Sequence, residues 1–192
     1  MRDIFMRMVF MITALALSSW CPKLKAQTAL GKDEAAGKTR PLIVLAGADS
    51  KVDKPSYYRV SSEEAWQRIW LIHLGKTEVD RFREHMPIVQ IDFKKCMAIA
   101  IFKGSASNSR GLNIISTDEH EDTVYLRFDD MSYQTAGGLD GGRVPVTPYA
   151  FVVIPNSAKL VLIEENVQSL KEKPPVWNER ARLKGRIEPG NH

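Results

Sequence analysis

Residues 61–75 read SSEEAWQRIWLIHLG, and this stretch sets the layout of the chain. Ser61 and Glu64 stand at capping-box spacing, in which each side chain satisfies the other's free backbone amide. Trp66, Ile69, Trp70 and His73 follow at i, i+3, i+4 and i+7, one face of a helix. Gly75 supplies a stop signal. The spacing predicts a helix over 62–74 with its tryptophan face turned to a core. Two aromatic rings on one stripe more often build a core than a ligand platform, because each buries a large apolar area. His73 ends the stripe and reads as a packed boundary residue.

Outward from this helix the pattern changes to strands. Residues 97–102, MAIAIF, form a continuous apolar run closed by Lys103-Gly104. Such a run is too short for a lone helix and reads as a strand covered on both faces. Residues 149–154 and 160–163 are similar, and Pro155-Asn156-Ser157 between them predicts a hairpin turn. Val124, Leu126 and Phe128 alternate with polar partners, giving a strand with one wet face. Residues 42–46, 57–60 and 112–116 complete the strand set, and 77–86 reads as a second short helix. Residues 105–111 and 133–146 read as polar loops, the second holding two Gly-Gly pairs. One main helix followed by strands with turn-length gaps indicates an α+β fold: a single domain over 41–170, mostly antiparallel sheet with the helix packed on it.

The N-terminus has a different character. Arg2 and Arg7 precede an apolar run over 8–17 broken only by Thr13, and small and polar residues lead to Ala26. These are the parts of a bacterial export signal. The run is shorter than the ~20 apolar residues that span a bilayer. Residues 1–26 are therefore expected to be a signal peptide, and 27–40 a flexible linker. Export places the chain in the periplasm or outside the cell. Cys21 could be acylated only if cleavage fell just before it, and the bulky Trp20 argues against that lipoprotein alternative.

Charge narrows the partners. The chain is +4, but 1–26 alone carry +3. Residues 171–192 hold six basic and three acidic side chains and read as a solvated basic tail. The body between is near neutral, which excludes the basic face a nucleic-acid binder needs. If cleavage follows Ala26, Cys96 is the only thiol left, and a buried packing role is expected of it.

Chemistry-bearing motifs are sparse. The acidic run 118–122 surrounds His120, but calcium loops need a glycine for the sharp bend, and none lies between Leu112 and Gly137. Ser105, Ser107 and Ser109 stand in no G-x-S-x-G elbow. The GGLDGG run at 137–142 precedes no helix pattern, so a phosphate cradle is not expected. No catalytic, metal or cofactor residue is assigned. A Ser/His/Asp set drawn from distant positions would be invisible at this level. A small exported hydrolase is therefore the alternative reading.

Three segments in order carry a resemblance: YYRVSSEEAWQRIW at 57–70, IDFKKCMAIAIFKG at 91–104 and VTPYAFVVIP at 146–155. Together they resemble the C-terminal domain family named after the PrcB subunit of a bacterial surface protease complex. Ser62, Glu63, Glu64, Trp66 and Trp70 stand near that family's helix motif, with Ala65 inserted before the first tryptophan. Asp92, Phe93, Met97 and Gly104 match its strand motif, and Thr147, Pro148, Tyr149 and Pro155 match its last. The resemblance spans roughly 57–165. It breaks after Gly104, where members often carry a Pro-Thr-Gly-Gly-Tyr-like stretch and this chain has SASNSRGL. It implies an exported accessory domain that stabilises or assembles a protease complex, with no catalytic set to carry over. The expected partner is an envelope protein. The two polar loops, 105–110 and 133–143, are the expected contact surfaces, with Arg110, Tyr133 and Arg143 as anchors, because Arg and Tyr are favoured at binding hot spots.

Overall fold

A computed structural model describes residues 41–84, 88–135, 142–168 and 173–185, all within one compact unit, Lys32–His192. The expected leader with Cys21, the linker 27–40 and most of the GGLDGG run lie outside the described residues. The elements are β1 (Ile43–Gly47), β2 (Ser56–Val60), α1 (Glu63–Leu74), α2 (Glu78–Glu84), β3 (Cys96–Phe102), β4 (Ala106–Ser107), β5 (Ser109–Glu119), β6 (Thr123–Ser132), β7 (Pro145–Val146), β8 (Tyr149–Pro155), β9 (Leu160–Asn166) and β10 (Trp177–Leu183). The structure is mostly antiparallel sheet. Strands form one sheet in the order β1-β8-β3-β2, a second in the order β10-β9-β6-β5, and a small ribbon, β4-β7. One ladder is parallel, β6 with β9.

The apolar run of β3 shows why two sheets form. Met97, Ile99 and Ile101 share a cluster with Ala150, Val152 and Ile154 of β8 and with Leu112, Val124, Leu126, Phe128, Val161 and Ile163 of the second sheet. The alternate residues Ala98, Ala100 and Phe102 join Phe151 and Val153 in a second cluster with Trp66 and Ile69 of α1. Successive strand side chains point to opposite faces. The first sheet therefore packs the second sheet on one side and α1 on the other, and both of its central strands are apolar throughout.

Helix α1 meets its expected bounds within a residue, but its cap differs. Ser62, not Ser61, is the N-cap: it is extended, and its hydroxyl accepts from the Ala65 amide at 3.2 Å. Ala65 therefore occupies the third helical position and no capping box closes. Gly75 ends the helix in the left-handed region at φ 63°. Trp66 is fully buried, and its Nε1 donates to the Val89 carbonyl at 2.8 Å. Its ring meets Phe151 edge-on with centroids 5.0 Å apart. Trp70 lies over the same phenylalanine at 5.5 Å but is only partly buried, and its Nε1 has no hydrogen-bond partner among the described residues.

Three expectations give way to the structure. The turn at 155–157 does not close a hairpin. Pro155 has no amide to donate, the Asn156 amide turns to the Lys95 carbonyl at 2.8 Å, and the chain crosses to the other sheet. Arg59 of β2 holds this crossover by donating to the carbonyls of Ser157 and Lys159. The tail expected over 171–192 supplies β10, which pairs with β9 and sets Ala181 and Leu183 against the inter-sheet core. Its charges sit on an edge strand with a bulge between Glu179 and Ala181, a pattern that discourages further pairing. Finally, residues 105–111 are not simply a loop, because they hold β4 and the start of β5.

Candidate functional site

The two loops chosen from sequence converge at one place. Asn108 joins them, and it adopts φ 56°, a left-handed geometry that asparagine tolerates better than most residues. Its amide donates to the Val144 carbonyl at 2.9 Å, its side-chain oxygen accepts from the Val144 amide at 2.7 Å, and its carbonyl accepts from the Tyr133 amide at 2.8 Å. One residue thus ties the turn between β4 and β5 to the stretch after β6 and the stretch before β7. The β4–β7 pairing adds Ala106 opposite Val146 and Ser107 opposite Pro145.

Two of the three expected anchors are brought together by this arrangement. The Arg110 guanidinium carbon lies over the Tyr133 ring, 5.5 Å from its centroid. Arg110 is exposed and Tyr133 half-buried, so the ring orients a charge that remains open to solvent. Arg143 is also exposed, one residue before Val144, and has no hydrogen bond or ion pair with another described residue. It belongs to the same loop cluster through its neighbour Val144, which is bonded to Asn108.

Backbone proximity fixes the cluster against the first sheet. Gly111 has φ 120°, and a side-chain carbon there would fall 2.9 Å from the Gly47 carbonyl oxygen. Only glycine allows β5 to pass this close to the end of β1. The 48–51 loop then runs beside the β4–β7 ribbon. The Thr147 amide donates to the Ala48 carbonyl at 2.9 Å, the Ser50 amide to the Thr147 carbonyl at 3.2 Å, and the Thr147 hydroxyl to the Ser50 carbonyl. Between them lies an open cleft of about 340 Å³, lined by residues 48–51, Ser105, Ala106 and 145–147.

Behind the cleft, Ser50 and His73 form a pair that no local pattern announced. Both are buried, at 4% and 6% exposure, and the Ser50 hydroxyl shares a 3.1 Å hydrogen bond with His73 Nδ1. The imidazole is hemmed by Tyr149 at 4.1 Å, Phe151 at 5.2 Å and Trp70 at 5.8 Å between centroids. Burial pushes its pKa below the ordinary histidine value, against an opposing pull from the Asp49 carboxylate. Burial thus disfavours the charged form of the ring. The Ser50 hydroxyl also accepts from the Val52 amide at 3.2 Å. With the Lys51 amide donating to the His73 carbonyl at 2.8 Å, the pair seals the loop to the end of α1.

A second polar cluster stands where the two sheets part. Lys103 donates to Glu165 at 2.8 Å and to Asp130; Arg180 donates to Glu165 at 2.6 Å; the Ser109 hydroxyl donates to Asp130. Burial lowers the lysine pKa, but the hydrogen bonds and charges of Asp130 and Glu165 outweigh it, leaving Lys103 above its ordinary value. Glu165 is buried and satisfied by two cations, the condition under which a charge is tolerated inside. This is a structural plug binding one sheet to the other.

The remaining sequence features have local roles. Asp118 pairs with Arg127 at 3.8 Å, Glu119 pairs with Lys159 at 2.9 Å, and His120 meets the Tyr125 ring edge-on at 5.0 Å. Among the described residues no group of three or more His, Cys, Asp or Glu side chains is placed to hold a metal. Cys96 is a half-buried free thiol at the start of β3. Compared with known proteins, the chain matches no family model, no curated protein and no solved structure.

Proposed function

We propose that this chain is an exported, noncatalytic accessory domain that binds a protein partner in the bacterial envelope. The observation that carries this reading is the convergence of residues 105–110 and 133–144 on Asn108, with Arg110 set over Tyr133. Loops held on a rigid sheet scaffold are the common site of recognition. A pre-oriented arginine loses less side-chain freedom on docking than a free one. The charged head and apolar run at 1–26 support export, and the resemblance carried by 57–70, 91–104 and 146–155 supports a role in stabilising or assembling a protease complex. Within this proposal the domain is single and α+β, and α1 is its amphipathic helix. The partner is a protein, with no cofactor and no nucleic acid. The only membrane contact comes from the leader.

Arg110→Ala combined with Tyr133→Ala tests the reading. The double variant should keep its fold and lose most partner capture in a pull-down from envelope extract. Unchanged capture removes these loops from the account.

One observation favours the hydrolase alternative, the Ser50–His73 hydrogen bond with Asp49 nearby. The Ser50 hydroxyl is closed off and already accepts from a backbone amide, so the scaffold role is the better account. Hydrolysis of peptide or ester substrates that Ser50→Ala abolishes would overturn the noncatalytic reading.

A further inference from the structure

The cleft beside the β4–β7 ribbon has an uneven supply of polar groups. Its hydroxyls are mostly committed: Thr147 donates to the Ser50 carbonyl, and Ser50 is bound to His73. Two groups are not. The Asp49 carboxylate forms no hydrogen bond or ion pair with another described residue, although its charge is felt by His73 and Tyr149. The Ser105 hydroxyl is likewise exposed and without a described partner. The rest of the lining is Ala48, Ala106, Pro145 and Val146, short apolar side chains.

Lys51 also lines the cleft, and its ammonium would cancel Asp49 if it faced inward. Its stem points elsewhere. A side-chain carbon added to Gly75 would fall 2.9 Å from Lys51 Cγ and 3.0 Å from its Cβ, so the lysine lies across the C-terminal cap of α1. A cation there complements the negative end of the helix. Asp49 is left without an ion-pair partner among the described residues, its Oδ1 beside Gly47 and the Tyr149 hydroxyl.

We propose that this cleft seats a basic side chain, lysine or arginine, of the protein partner, with the Asp49 carboxylate and the Ser105 hydroxyl as its acceptors. The inference rests on the partner-binding reading and names what the partner presents. The aliphatic stem of the side chain lies against Ala106, Pro145 and Val146, as long basic side chains do on apolar walls. Its charged end meets Asp49. Exposed Arg110 and Arg143 flank the same cluster and call for acidic groups on the partner, so the matching surface alternates in sign. Alternating charge fixes the register of docking more than it adds affinity.

Titration of the ¹⁵N-labelled protein with N-acetyl-arginine amide, N-acetyl-lysine amide and the uncharged N-acetyl-norleucine amide tests this. Both cationic probes should give saturable shifts at the amides of Ser50, Ser105 and Thr147, and norleucine amide should give none. Asp49→Asn changes an exposed side chain and should weaken binding at least fivefold with the rest of the spectrum unmoved; Ser105→Ala should weaken it less. Absent or unsaturable shifts, equal shifts with norleucine amide, or undiminished binding by Asp49→Asn would overturn the proposal. A failed titration beside a pull-down that still depends on Arg110 and Tyr133 would remove the cleft and leave partner binding standing.

Discussion

Trp66 and Trp70 are one helical turn apart on one stripe, yet their indole nitrogens have different fates. Trp66 Nε1 finds the Val89 carbonyl, and Trp70 Nε1 finds no acceptor among the described residues. A buried donor without an acceptor carries a desolvation cost of roughly 1–3 kcal/mol. Trp66→Phe should therefore cost about 2 kcal/mol, since it removes packing and a hydrogen bond together. Trp70→Phe should fall within about 1 kcal/mol of the parent, because removing the unsatisfied donor offsets the lost area. Trp70→Ala strips away the ring and should cost about 3–5 kcal/mol. Urea unfolding of the three variants checks the ranking. The tryptophan stripe was legible because helical periodicity is local. The Ser50–His73 pair was not, because 23 positions separate the two and only the folded seam brings them together. Asp49 was missed for the same reason: nothing in its own segment shows that a ribbon closes beside it.

Among the elements, the apolar strands β3 and β8 were read to within a residue of their ends, and β5, β6 and β9 were cut short where polar residues take over or bulges intervene. β5 runs Ser109–Glu119, but register shifts between Ser109 and Leu112 and between Ile114 and Ser116 break its alternation. Sequence reading therefore took only its middle as strand. β10 was hidden by composition, since an edge strand exposed on most of its length carries Asn, Glu and Arg where a central strand carries Val and Ile. The parallel β6–β9 ladder was beyond reach because it depends on a crossover that residues 155–157 disguise as a turn. The cap of α1 was misplaced by one residue, as adjacent serines present the same chemistry. This yields a clean test. Ser62→Ala should cost about 1 kcal/mol through loss of the hydroxyl–Ala65 bond, and Ser61→Ala should be within ~0.5 kcal/mol of neutral. Thermal unfolding of the two variants, compared side by side, decides between the two caps.

At the scale of the whole molecule, two sheets and a helix are joined by a few polar seams whose protonation shapes stability. His73 has a depressed pKa in the folded protein because burial disfavours its charged form. Its contribution is fully present above the unfolded histidine value near 6.5 and is lost as pH falls through the lower folded value. Unfolding free energy should decline on acidification below about pH 6.5, and His73→Gln should flatten that part of the profile. Lys103 behaves in the opposite sense. Its raised pKa gives stability that is complete below about 10.5 and is lost as pH climbs through the folded value. The α1 seam is thus sensitive to acid and the inter-sheet plug to strong base. Neither seam includes Arg110, Tyr133 or Arg143, so the loop cluster can be altered without loosening the scaffold.

The proposed function stands on that separation, and site-specific photo-crosslinking in envelope extract tests it most directly. A photoreactive residue replaces Arg143 in the loop cluster, and in a second protein it replaces Asn113, an exposed residue of β5. The account predicts one discrete protein adduct from position 143, absent from position 113 and suppressed by Arg110→Ala with Tyr133→Ala. Adducts of equal yield from both positions, or an adduct from position 113 alone, would contradict it.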